Sequence, residues 1–364
     1  MPNSPKKIYR NVPVLIEEDE NGKEVSNPWR VSFKQGLFNM TSASHLFRPS
    51  PEIGDLPLYE AKMIHQFDHR WATYRSAQGS GETGIADTIL EEKKDPTFEP
   101  TPRYWVSESE VLARIADAPK AVRHAFAAGD TAALVQAFAN WMEACEEDVL
   151  LRGMTTSSSR QKIIEAGGRH FKMLPLHDLE WRHAPTQREA RNHTPLTRDE
   201  LQILRDSRSL LEAASEILDQ RSPRWLMGWR DVCRATDERT VIASVIPRVA
   251  VGHTLPIFIL NITKNFDSLL GALNSIAVDY IARLKIGGTH LTYSYLKQFP
   301  ILPLNSSNQK SYHIRSIILE LTYTSHSLRP WAEELGYTGP PFPFDPDRRA
   351  HLRAELDALY ARLY

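Results

Sequence analysis

Two hydrophobic periods alternate along this 364-residue chain, and the alternation limits its folds more than any other feature. Apolar residues recur at helical spacing at Leu134, Phe138, Trp141, Cys145 and Val149, and again at Leu201, Leu204, Leu211 and Leu218. Val241–Ile246 instead is a β-branched run of the kind that fills strands. Phe266–Lys285 then reads as one amphipathic helix with Leu269, Leu273, Ile276, Tyr280 and Leu284 on one face, stopping at Gly287-Gly288. A further helix is expected over roughly 311–328. A last one starts at Asp345-Pro346, an N-cap with proline at the first helical position, and carries Leu352, Leu356, Leu359 and Leu363. Ser107 with Glu110 and Thr197 with Glu200 form capping boxes. The expected class is α+β: a twisted mixed or antiparallel sheet braced by helices, with an inserted helical module.

The N-terminal third is less periodic. Residues 8–33 read as strands broken by an acidic turn at Asn21-Gly22. Leu56–Tyr74 is apolar and aromatic with period-two character, and the following "RSAQGSGETGIADT" reads as a surface loop. No apolar run approaches the ~20 residues of a membrane helix, and the lysine-bearing N-terminus has no apolar segment after it. Two cysteines, Cys145 and Cys233, are too few for a disulfide framework or a zinc ribbon and read as reduced thiols of a cytoplasmic protein. Leu363 leaves the last apolar stripe still running at Tyr364, as if the C-terminus were incomplete.

A net charge of -1 argues against indiscriminate binding to nucleic acid, so any such contact has to come from local patches. The densest patch surrounds Trp225–Pro256, where Arg221, Arg224, Arg230, Arg234, Arg239 and Arg248 face only Asp231, Asp237 and Glu238. Arginine forks on strands suit phosphates and guanine edges. Arg182, Arg188, Arg191, Arg198, Arg205 and Arg208 form a second basic stretch, and Lys62, Arg70 and Arg75 a sparser third.

Catalytic signatures are weaker. Gly79–Gly84 matches GxGxxG but follows no apolar strand, so it reads as a loop. Asp55, Glu60 and Lys62 resemble the acid…ExK set of metal-dependent nucleases, although residues of that set usually sit on neighbouring strands. His65 and His69 have the spacing to share one face of a strand but lack a third metal ligand. An adenine methyltransferase needs a polar residue before Pro-Pro-aromatic to hold the flipped base. Gly339-Pro340-Pro341-Phe342 has glycine there, and Asn27-Pro28-Trp29 lacks the second proline.

Several long segments follow one another in a telling order: "LPLYEAKMIHQFDHRWATY", "PTPRYWVSESEV", "RWLMGWRDVCRATDERTVIASVIPRVAVGHTLP", "LLGALNSIAVDYIARLKIGGTHLTYSYLKQFPILP" and "FDPDRRAHLRAELDALYARLY". Together they resemble the C-terminal target-recognition region of large adenine-specific DNA methyltransferases of type IIG restriction–modification and phage-defence systems. The resemblance covers most of the chain except roughly 110–220. It implies a β-rich recognition part at 1–105, an inserted helical module at 106–222, a second β-rich part with its supporting helix at 223–305, and a helical segment at 306–364. It also implies double-stranded DNA as a partner, with S-adenosylmethionine held by a methyltransferase domain or subunit supplied in trans or lost by truncation. The candidate DNA contacts are Lys62, His65, His69, Arg70, Arg234, Arg239, Thr289 and His290; no cofactor, metal or catalytic residue is expected in the chain itself. Two alternatives remain: a magnesium-dependent nuclease using Asp55, Glu60 and Lys62, and a non-catalytic assembly subunit of a defence complex.

Overall fold

A computed structural model describes residues 5–76, 83–144, 192–260, 265–304 and 309–364. The fold is α+β, with several small antiparallel and mixed sheets accompanied by helices. Two compact units divide the chain: Met1–Val106 with Arg224–Tyr364, and Ser107–Pro223.

The strands are β1 (Glu17–Glu18), β2 (Glu24–Ser26), β3 (Val31–Lys34), β4 (Asp55–Tyr59), β5 (Ala72–Ser76), β6 (Thr83–Asp87), β7 (Trp105–Ser107), β8 (Trp225–Trp229), β9 (Ala243–Pro247), β10 (Ala250–Val251) and β11 (Ile257–Leu260). The helices are α1 (Pro5–Asn11), α2 (Leu90–Lys94), α3 (Glu108–Ile115), α4 (Lys120–Ala127), α5 (Thr131–Ala144), α6 (Arg198–Asp206), α7 (Leu210–Gln220), α8 (Phe266–Asn274), α9 (Ile276–Lys285), α10 (Tyr293–Leu296), α11 (Gln309–Thr322), α12 (Arg329–Glu334) and α13 (Pro346–Leu363). Among the described residues no helix is long and apolar enough to cross a membrane.

The sheet unit is organised by β8. All five of its residues are buried, so its apolar run has no polar face, as expected of a central strand. It pairs antiparallel with β9 on one side and β11 on the other, and β11 pairs antiparallel with β3. Gly228 is required here: a Cβ would sit 2.7 Å from the Pro256 carbonyl oxygen. The second sheet has the order β10-β4-β7, with β10 parallel to β4. Helices α8, α11 and α13 share the core of this unit through Leu269, Leu273, Ile314, Ile318, Leu352 and Leu356.

The helical unit has a separate core of Val122, Leu134, Phe138, Trp141, Leu204 and Ile217. The Thr197–Glu200 capping box is closed in both directions. The Ser107 box is not: Glu110 turns instead to Arg114, and the Ser107 Oγ lies 2.8 Å from that of Ser109. Cys145, Val149 and the arginines at 182, 188 and 191 lie outside the described residues.

Four expectations need correction. Pro5–Asn11 is helical rather than extended. Residues 83–87 are not loop, because β6 pairs antiparallel with β5, which puts Gly84 opposite Arg75. Residues 65–68 form a tight turn closed by reciprocal His65–Asp68 backbone bonds, with Phe67 at φ 60°, so His65 and His69 do not share a strand face. Phe266–Lys285 is two helices, broken at Ser275. The Asn274 side chain bonds both Ala243 N–H and Ala243 C=O of β9, and Ser275 caps α9. The break turns the apolar stripe outward: Ile276, Tyr280 and Leu284 are 52%, 38% and 59% exposed.

Candidate nucleic-acid interface

Beyond Trp229 the chain leaves β8 and runs through a loop, Arg230–Ile242, whose backbone is fixed from several sides. Arg230 N–H donates to Ile242 C=O and Asp231 N–H to Thr254 C=O. Leu291 N–H donates to Asp231 C=O, and Cys233 N–H to Thr289 C=O, so residues 289–291 lie alongside 231–233. Arg283 on α9 anchors the far side. Its Nε meets Asp279 at 2.8 Å while its two Nη atoms donate to the carbonyls of Ala235, Asp237 and Glu238. Asp279 also accepts from Thr240 N–H and Val241 N–H through its other oxygen.

Three of the sequence-expected contacts converge on this fixed loop. Arg234 and Thr289 are exposed. The His290 ring is 56% exposed, and its Nδ1 donates to the Asp231 carboxylate at 2.9 Å. That bond orients the imidazole and leaves Nε2 for a ligand. The other Asp231 oxygen, Oδ1, is buried without a hydrogen-bond partner. A fourth, Lys62, is brought alongside by Arg230, whose Nε donates to Ile64 C=O at 2.8 Å and whose Nη2 lies 3.5 Å from Lys62 C=O. Burial lowers the Arg230 pKa, and its guanidinium is committed to backbone. Lys62 itself is exposed on a 3-10 turn, Ala61–Met63.

The other four do not reach this surface. Arg70 is fully buried; its Nη atoms donate to the carbonyls of Asp95, Phe98, Lys93 and Thr324 and to the Thr324 hydroxyl. His69 is 1% exposed, with Nε2 3.1 Å from Ser325 Oγ. Both are therefore part of the interior and not phosphate contacts. Arg239 Nη2 is held by Asp357 at 2.7 Å, and its Nη1 is buried. His65 packs on Trp71 with ring centres 4.4 Å apart; burial, with Arg230 nearby, pushes its pKa down to about 4, so it is neutral at pH 7.

The arginine block thus divides by role. Arg221 belongs to the helical unit, where it clasps Glu200 at 2.5 and 2.7 Å and lies 4.6 Å from the Trp141 ring centre. Arg224 is exposed but 3.7 Å from Glu333, and Arg230 is a backbone clamp. Asp237 and Glu238 keep exposed carboxylates in the loop itself, so the surface is mixed in charge around Arg234.

The alternative chemistries lose their geometry. Asp55 opens β4 and Glu60 follows its end, roughly 16 Å apart along an extended chain and on opposite faces at an odd spacing. Asp55 is taken by Arg48, and Glu60 by the Tyr74 hydroxyl. Among the described residues no group of three or more His, Cys, Asp or Glu side chains is disposed to hold a metal ion. Asn27 closes a turn by bonding Val31 in both directions, and Trp29 is buried. Phe342 stacks on Tyr337 at 5.0 Å, and Gly339 C=O accepts from Tyr323, so both methyltransferase lookalikes are packing elements. No protein-family model matches this chain, and neither does any curated protein.

Proposed function

We propose that the chain is a DNA target-recognition part of an adenine-specific methyltransferase or restriction–modification enzyme, working in the cytoplasm. S-adenosylmethionine comes with a methyltransferase domain or subunit that this chain serves. One observation carries the proposal: Arg234, Thr289 and His290 are exposed together on a backbone locked by Arg283, Asp231 and the 231–233/289–291 pairing. A guanidinium suits the O6/N7 edge of guanine, while a hydroxyl, an imidazole and the neighbouring Lys62 suit phosphates. Ordering these groups in advance reduces the entropy lost on binding. The sequence resemblance supplies the enzyme class, and the loop supplies a means of reading DNA.

Selection of bound duplexes from a random pool by the full chain, alone and with its methyltransferase partner, tests the proposal. An enriched motif is expected. Arg234→Ala should weaken binding to it by about 1–3 kcal/mol and relax the preference at one base pair. A parent chain that enriches no motif in either setting would overturn the assignment. A second reading, an assembly subunit that touches no DNA, draws on the exposed row Ile276, Tyr280 and Leu284; complex formation without any DNA affinity would favour it.

A further inference from the structure

On the sheet unit, a cleft of about 200 Å³ opens between the 65–71 turn, the end of α2 and the start of α13. Its chemistry is unbalanced. Lys93, Arg349 and Arg353 line it, against one carboxylate, Asp68. Both Asp68 oxygens are already used, Oδ2 by Lys93 Nζ at 2.7 Å and Oδ1 by the Arg70 N–H at 2.9 Å. Arg349 is buried and bonds two carbonyls, those of Leu321 and Phe67, rather than a carboxylate. Arg353, one turn later on α13, is exposed at the mouth. His65, neutral at pH 7, adds no charge.

The walls keep these cations in place. Lys93 Nζ lies 4.5 Å from the Trp71 ring centre and 5.1 Å from that of Phe344; Arg349 lies 4.3 Å from Phe344. Aromatic faces hold a cation without neutralising it; Asp68 offsets Lys93, so the surplus positive charge of the lining is that of Arg349 and Arg353. Burial pushes the Arg349 guanidinium down to about 10, with Asp68 opposing and Arg353 adding to the shift, so it is still charged at pH 7. Pro346, at the first position of the 18-residue helix α13, also lines the cleft, and the Asp347 and Arg348 N–H groups behind it are taken by the Asp345 carboxylate.

We infer that this cleft is an anion site that seats one phosphate group, with Arg353 closing on it from the mouth and Arg349 supplying the charge behind, beside the Lys93–Asp68 pair. The phosphate is one of the duplex backbone, if the recognition proposal holds, or a free phosphate; the site chemistry is the same for both. Arg353→Gln is the variant to use, because its exposed side chain carries no part of the core, whereas changing Lys93 strands the buried Asp68.

Two measurements on the full chain read the outcome. In the first, pyrophosphate is titrated against thermal unfolding at constant ionic strength. In the second, duplex affinity is followed against salt, where each phosphate contact contributes a slope of about one. The site stands if Arg353→Gln abolishes a pyrophosphate-induced rise in melting temperature, which identifies a free-phosphate site. It also stands if the variant lowers the duplex salt slope by about one, with equal loss on all sequences, which identifies a backbone contact. A variant indistinguishable from the parent in both assays overturns the site, even where Arg234→Ala still alters base preference. A pyrophosphate effect in a chain that never binds duplex keeps the site and removes the DNA proposal.

Discussion

Arg70 donates from one guanidinium to Lys93, Asp95, Phe98 and Thr324, so a single buried side chain ties the 93–98 segment to residues next to α11. Next to it, His69 is buried and neutral; burial and the Arg70 charge lower its pKa to about 3. The neighbouring His65 is held near 4 by burial. Asp68 is pushed up by burial but more strongly down by Lys93 and Arg349, to about 2. All three shifts act in the same direction. In the unfolded chain each histidine takes a proton near pH 6.5, which the folded chain refuses until about pH 4 or 3, so acidification favours unfolding across that interval. The midpoint of urea unfolding should fall between pH 7 and about pH 4.5. In His69→Gln the fall should be shallower, since one refused proton has been removed. An identical fall in the variant would show that His69 is not a source of the acid sensitivity. Sequence spacing put His69 and Arg70 among the DNA contacts because charge and period are visible in a sequence, whereas the carbonyls that claim Arg70 come from Lys93, Asp95, Phe98 and Thr324.

At the scale of elements, what could be read in the sequence was what is decided locally. Asp345 accepts from the N–H groups of Asp347 and Arg348 and starts α13 where the Asp-Pro pair indicated, and the Thr197 box starts α6. The break at Ser275 was hidden, because its cause is the Asn274 side chain reaching back to β9, and apolar periodicity runs straight through it. The same holds for the candidate sites. The segments carrying Arg234 and His290 stood out, but their contact depends on a bridge between Val232 and His290 that no local pattern encodes. The phosphate cleft draws Trp71 and Arg353 from distant parts of the chain and had no sequence signal. Asn274→Ala should leave the Ala243 N–H unpaired in a buried strand, while its C=O keeps the Phe67 N–H, at a cost of about 2 kcal/mol. Hydrogen exchange at the Ala243 amide is the direct measurement: it should accelerate more than that of Met227, whose strand loses nothing. Equal protection in variant and parent would mean that the helix break has another cause.

For the whole molecule, the two units have separate cores, and a change confined to one should be felt there first. Thr197→Ala removes the N-cap of α6 and should destabilise the helical unit by about 1 kcal/mol. Amide protection in α6 and α7 should drop while that of β8 and β9 is kept; a uniform drop would show that the units unfold as one. The order of strands also carries a consequence for synthesis. Among the described residues β3 pairs only with β11, which arrives from the ribosome more than two hundred residues later, and the helical unit is made in between. The nascent chain must therefore carry Val31 and Phe33 without their sheet while Ser107–Pro223 is made. Release of a chain halted before Ile257 would yield a folded helical unit attached to an aggregation-prone half sheet, so finishing translation is itself part of folding this protein.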